Sequence, residues 1–223
     1  MSETAIDLDR VEGVLFDCYD TLLDVSTDER SLESYRHLCI WAAYQGVRID
    51  PEVLRDEYRQ RIGEAMEAVG GEYPEVRVED IFAGICRDYA VWPVDTADLS
   101  IHFARSFRAA TARKVCAFPR TRRLLSAFDG YRLGIVSNGQ RVFSEIELRM
   151  FGLYPFFDTV VFSSDIGCKK PDRRIFFAAL GRLGITPQEA LFIGDSRKND
   201  LEPSRALGMQ TLHIKEAWDL FVV

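Results

Sequence analysis

The chain has 223 residues, 47% of them apolar, enough for one large domain or a core domain carrying a smaller insert. Its 28 basic and 35 acidic side chains leave a net charge of -7, which gives no general attraction to nucleic acid, and no apolar run approaches the ~20 residues of a membrane-spanning helix. Five scattered cysteines without a CxxC pair point to reduced thiols and a cytoplasmic setting; the opening MSETAIDLDR is too acidic and polar for a signal or transit peptide.

In chain order, residues 11 to 17 read as a buried strand that stops at Asp17. A long helical stretch follows. Ser26 and Glu29 stand at capping-box spacing, and Leu32, Tyr35, Leu38, Cys39 and Ala42 recur every three or four residues, as on an amphipathic helix. A second helix starts at Pro51, a favoured first helical residue, and ends before Gly70-Gly71. Two more are expected near residues 77–90 and 95–113. No strand is expected between residues 26 and 113, so this block reads as a helical insert.

The pattern then changes to strand, loop, helix, repeated. YRLGIVSNG and DTVVFSSD read as strands, with a helix from QRVFSEIELRMFG between them. PDRRIFFAALGRLG is a helix with a glycine stop at Gly184. Thr186 and Glu189 form a second capping-box pair ahead of the strand ALFIG. LEPSRALGM is a short helix and TLHI a last strand. Such alternation predicts an α/β fold, a Rossmann-like parallel sheet flanked by helices.

Three of these strands end in polar residues: VLF in Asp17, GIV in Ser137-Asn138, LFI in Gly194-Asp195. Ligands of open parallel sheets bind beyond the carboxyl ends of the strands. A single such end is most simply a helix cap. Three together, with Asp200 five residues after Asp195, predict a shared site.

The stretches FDCYDTLL, IVSNG, CKKPD and FIGDSRKND resemble, in order and spacing, the four motifs of the haloacid dehalogenase-like hydrolases, and the resemblance runs across nearly the whole chain. It implies a Rossmann-like core at residues 1–20 and 115–223 with a small all-helical cap at 21–114. It implies Asp17 as the carboxylate nucleophile and Ser137, Asn138 and Lys170 as phosphate-binding residues. A magnesium ion (Mg2+) would be held by Asp17, the backbone carbonyl of Tyr19, Asp195 and Asp200. Lys170, directly before Pro171, matches the family position; Lys169 reads as a solvated surface charge.

Tyr19 stands where the family's phosphatases carry an aspartate that moves the leaving-group proton. General acid–base catalysis contributes ~10²–10⁴-fold, and a phenol with a reference pKa near ~10 can donate a proton but is a poor base at neutral pH. The leading expectation is therefore a phosphatase for a small phosphorylated metabolite, with Tyr19 as a weak catalytic substitute and a preference for good leaving groups. Asp20 and Asp24 read as turn residues.

Tyrosine at this position also resembles the metal-free 2-haloacid dehalogenases, the second reading. A catalytically weak protein that binds a phosphorylated ligand is the third. The acidic last motif favours the first, because Asp195 has no evident use without a cation. Isolated His37, His102 and His213 read as surface residues, Trp41 and Tyr44 as packing. The basic residues Arg105, Arg108, Arg113, Lys114, Arg120, Arg122 and Arg123 read as a solvated helix and hinge, and Cys18 as the one exposed thiol. No nucleic-acid or membrane partner is expected, and oligomeric state is left open.

Overall fold

The structure, a computed structural model, describes residues 6–222; the first five residues of the polar opening stretch lie outside the described residues. Five strands form one parallel sheet: β1 (Gly13–Phe16), β4 (Arg132–Ser137), β5 (Thr159–Phe162), β6 (Ala190–Gly194) and β7 (Gln210–His213), in the order β5-β4-β1-β6-β7. Both faces are covered, so the central strands are mainly apolar, as parallel sheets require, whereas the edge strand β7 is Gln-Thr-Leu-His with only Leu212 buried. Alternation sorts their side chains. Val14, Phe16, Ile135, Leu191 and Ile193 enter one core layer, whereas Leu15, Val136, Phe192 and Val161 enter the other.

The sheet's helices are α5 (Thr121–Ala127), α6 (Arg141–Met150), α7 (Ser163–Ile166), α8 (Arg173–Leu183), α9 (Glu202–Ala206) and α10 (Ile214–Phe221). Helix α8 ends at Gly184 in the left-handed conformation, which costs glycine least. Thr186 and Glu189 form the expected reciprocal cap.

Residues 32–111 carry four helices: α1 (Leu32–Tyr44), α2 (Pro51–Val69), α3 (Val78–Tyr89) and α4 (Thr96–Thr111). They have a core of their own. Tyr58 stacks on Phe82 at 5.1 Å and Phe82 on Phe103 at 4.7 Å, with Phe107 against Tyr58 at 4.7 Å. Val142 of α6 joins this cluster and so docks the insert on the sheet-bearing half.

Several elements differ from the sequence reading: α5 and α10 are helices absent from it, α7 takes Ser163–Asp165 from the end of the expected strand DTVVFSSD, and two strands bound the insert. The chain enters and leaves the insert through an antiparallel pair, β2 (Leu23–Thr27) and β3 (Ala112–Ala117). Ser26 is therefore a strand residue and α1 starts at Leu32; the Ser26–Glu29 capping box does not form. Instead Asp28 takes the N–H groups of Arg30 and Ser31 in a local turn. The basic run breaks up in the same way, with α4 ending at Thr111 and Lys114 pairing with Asp24 across the two strands.

Smaller differences concern single side chains. Tyr44 is 84% exposed rather than packed, while Trp41 does pack on Phe103. Cys18 is fully buried in the sheet's core. His37 and His102 lie on helix surfaces beside Glu33 and Asp98. No helix among the described residues is long and apolar enough to cross a membrane.

Because Phe82 is fully buried and stacked on both sides, Phe82→Ala is expected to lower the unfolding free energy by about 3–5 kcal/mol in urea titrations. A loss under about 1 kcal/mol would mean that the helices do not share this core.

Candidate active site

Strand register brings the polar residues together. Phe16 pairs with Ile135 on one side and Ile193 on the other. Asp17 is thus level with Val136 and Gly194, and Ser137 and Asp195 lie one residue beyond it. The strand order reverses between β1 and β6, and such switch points open a crevice at the carboxyl ends. The Asp17 N–H continues the ladder to the Ile193 carbonyl at 2.9 Å.

The chain then turns sharply. Leu22 and Leu23 donate to the Cys18 carbonyl and Asp20 donates to Leu23. Asp20 takes a φ of 60°, a left-handed conformation that aspartate tolerates better than most residues. This bridge uses the neighbours of Tyr19 and leaves the Tyr19 carbonyl outside the turn's ladder.

Lys170 is buried at the centre. Its Nζ lies 2.6 Å from Asp17 Oδ1 and 2.6 Å from Asp200 Oδ1. The Asn138 side chain grips the lysine's backbone: Oδ1 accepts from Lys170 N at 2.6 Å and Nδ2 donates to Lys170 O at 3.2 Å. Asn138 therefore positions Lys170, and its side chain is committed to that. Asp200 Oδ2 accepts from the Ser196 N–H at 3.0 Å. Thr21 donates to Asp17 Oδ2 at 3.0 Å and approaches Asp195 Oδ1 at 3.4 Å.

Electrostatics follow from burial. Asp17 is pushed above its ordinary pKa by burial, against the pull of Lys170. Asp200 is raised by burial and by Asp17, and Asp195 by burial and by Asp200. Burial works against the Lys170 ammonium, yet Asp17 and Asp200 together hold its pKa above the usual value. Repulsion between the acids follows from three crowded carboxylates with one ammonium, which bonds only Asp17 and Asp200.

That donor set fits a hard divalent cation. One carboxylate oxygen from each of Asp17, Asp195 and Asp200 lies within 4.8 Å of the others, and magnesium takes oxygen ligands. Three carboxylates against one ammonium leave an excess of negative charge for such an ion to balance. Ser137 Oγ is fully buried and has no hydrogen-bond partner among the described residues. A buried hydroxyl left unpaired costs free energy, and it is a donor for an oxygen placed at this rim.

The Tyr19 hydroxyl goes elsewhere. It donates to Glu147 Oε2 at 2.7 Å and lies 2.6 Å from Ser144 Oγ. Burial, with Cys18 and Glu147 nearby, raises the phenol well above its usual pKa. Glu147 also takes two bonds from Arg108, at 2.7 and 3.2 Å. The Arg108 guanidinium lies over the rings of Phe143 at 4.8 Å and Tyr19 at 5.4 Å. Arg108 is thus a mostly buried ion-pair partner, unlike the solvated charge its basic neighbourhood suggests. Sequence reasoning missed Thr21, Ser144, Glu147 and Arg108. Thr21 carried a signal, standing in the first motif four residues after Asp17; the other three gave none.

A haloacid dehalogenase-like hydrolase family model matches residues 11–208, and the chain belongs to that family. It is 27% identical over 207 residues to a glyceraldehyde 3-phosphate phosphatase of Methanocaldococcus jannaschii, covering 92% of this chain and 85% of that protein. It is 26% identical over 178 residues to a phosphoserine phosphatase of Thermus thermophilus, covering 78% and 62%. Among solved structures, a 2-haloacid dehalogenase from Pseudomonas syringae superposes with a TM-score of 0.66 at 22% identity, covering 90% of this chain and 85% of that one.

Gly194 tests the geometry. A Cβ there would lie 2.6 Å from Asp200 Oδ2 and 2.8 Å from Asp200 Cβ and Cγ. Gly194→Ala is expected to displace Asp200 and lower phosphatase kcat by about 10²-fold, because ångström-scale misplacement costs that much, with the far-ultraviolet dichroism of the parent retained. Unchanged kcat would mean that the Asp200 position is not needed.

Proposed function

We propose that the chain is a magnesium-dependent phosphatase of the cytoplasm that hydrolyses a small phosphorylated metabolite through a phosphoryl-aspartate at Asp17. The observation that carries this reading is the cluster of Asp17, Asp195 and Asp200 around Lys170. Phosphatase names among relatives aligned over most of this chain support it.

In this reading the Asp17 carboxylate attacks phosphorus, the bond to the leaving alcohol breaks, and an acyl phosphate forms. Water then attacks that phosphorus and regenerates Asp17. Covalent catalysis divides one hard displacement into two easier ones. Lys170 and the Ser137 hydroxyl hold phosphoryl oxygens where charge builds up, the use of preorganised donors that contributes most to many enzymes. Asn138 keeps Lys170 in place, and Thr21 orients the Asp17 carboxylate. Asp17, Asp195, Asp200 and the Tyr19 carbonyl would hold the magnesium ion, which when bound supplies charge neutralisation for the acids and the phosphoryl group.

The role of Tyr19 follows from its hydrogen bonds. Its single proton is given to Glu147, so the hydroxyl is a poor source of a proton for the leaving group. Tyr19 acts instead through its carbonyl and as a wall beside the phosphoryl site. The leaving group must then depart with little protonation, which favours esters of acidic alcohols and anhydrides.

The test is release of p-nitrophenol from its phosphate. Magnesium is expected to be required, and Asp17→Asn to lower kcat by at least ~10³-fold, since triad-like nucleophiles cost that much or more when removed. On an alkyl ester such as glycerol 3-phosphate, whose leaving alcohol does need a proton, Tyr19→Phe is expected to stay within about threefold of the parent, where loss of a true general acid costs ~10²–10⁴-fold. Metal-independent release of halide from a 2-chloroacid would favour the dehalogenase reading instead. Phosphate binding without turnover would favour the ligand-binding one.

A further inference from the structure

Between the helical insert and the sheet-bearing half lies a cavity of about 390 Å³. Its lining includes Tyr19, Asn138 and Gly139, chain neighbours of Asp17 and Ser137, together with Tyr58, Ile62 and Met66 of α2. An alcohol attached to a phosphoryl group at Asp17 would occupy this space.

The polar groups of the lining can be sorted by the bonds they already make. Arg108 is neutralised by its two bonds to Glu147. Glu75 accepts from Ser163 Oγ at 2.7 Å and from Val76 N at 3.0 Å, with the Lys169 ammonium 3.8 Å away. The Gln140 side chain is taken up by the Val76 carbonyl and the Val78 N–H.

The Glu29 carboxylate and the Tyr58 hydroxyl make no hydrogen bond among the described residues. Glu29, between β2 and α1 in the chain, lines the cavity and feels Arg108 and Arg59 only through space. The Tyr58 phenol has Glu29 and Glu75 among its charged neighbours. Glu29 therefore brings an unpaired acceptor to the cavity, and the Tyr58 hydroxyl can donate or accept. A ligand carboxylate there would face Glu29 and Glu75, and the arginine of the lining, Arg108, is already held by Glu147.

We infer that the cavity selects phosphomonoesters whose leaving alcohol carries hydrogen-bond donors, hydroxyl or ammonium, and no carboxylate, with Glu29 as the residue that reads them. The inference rests on the phosphatase reading above. Discrimination by like-charge juxtaposition is an ordinary source of specificity, and Lys169 keeps Glu75 partly screened, which leaves Glu29 as the decisive charge.

The test measures kcat/KM by phosphate release, with magnesium and the full chain, for glycerol 3-phosphate, O-phosphoethanolamine and 3-phosphoglycerate. p-Nitrophenyl phosphate serves as the reference for the parent. The parent is expected to prefer glycerol 3-phosphate over 3-phosphoglycerate by roughly tenfold or more, and Glu29→Gln to narrow that ratio to within about threefold. If the variant loses more on O-phosphoethanolamine than on glycerol 3-phosphate, Glu29 reads an ammonium; equal losses mean that it reads hydroxyls. A parent that uses 3-phosphoglycerate as well as glycerol 3-phosphate overturns the inference, as does a ratio unmoved by Glu29→Gln. Continued hydrolysis of p-nitrophenyl phosphate in either case leaves the phosphatase reading intact, whereas a parent inactive on it removes both.

Discussion

A lysine ammonium buried between two carboxylates organises this molecule. Taking Lys170, Asp17 and Asp200 out of water costs several kcal/mol for each ion, and only a fixed geometry recovers it. The surrounding chain supplies that geometry. The β1–β6 register sets Asp17, the Asn138 amide holds the backbone of Lys170, and the Ser196 N–H holds Asp200. Gly194 has no side chain, which leaves Asp200 the room to approach. With Asp195 beside them the acids outnumber the lysine, so the same arrangement that binds the ammonium is short of positive charge. In the proposed reading, a nucleophilic carboxylate and a place for a hard cation both arise from this one electrostatic constraint.

A second network ties the helical insert to this centre. Arg108 on α4 pairs with Glu147 on α6, and Glu147 also accepts from the Tyr19 hydroxyl. The loop before α3 adds Glu75, whose carboxylate accepts from Ser163. Removing one partner of a mostly buried ion pair strands the other charge, so the position of the insert and that of the Tyr19 loop are mechanically joined. Tyr19, read from the motif resemblance as standing in place of a proton shuttle, is part of this joint. The chemistry of this site is accordingly expected to depend on the leaving group, and the choice of substrate on the cavity that the joint helps to shape.

Much of the fold was legible because parallel strands buried on both faces are short apolar runs, and three of them end in Asp, Ser-Asn or Gly-Asp. The four motifs then gave Asp17, Ser137, Lys170, Asp195 and Asp200 as a group. The entry strands β2 and β3 were not legible: Ser26 and Glu29 have the spacing of a helix cap, and only pairing with residues 112–117 makes that segment a strand. Arg108 and Glu147 lie on separate helices 39 residues apart, and neither sequence neighbourhood marks a buried pair. The same holds for Cys18, whose burial is set by the turn that follows it, and for the Tyr19 hydroxyl, whose partners are more than a hundred residues away.

The claim that Asp17 becomes phosphorylated can be read directly. The protein is mixed with magnesium and p-nitrophenyl phosphate, quenched in acid during turnover, digested and analysed by mass spectrometry. The peptide bearing Asp17 is expected to gain one phosphoryl group that fragmentation assigns to that residue and that is absent in Asp17→Asn. Substrate consumed with no phosphoryl group on Asp17 at any quench time, or with the group on another residue, would contradict the account.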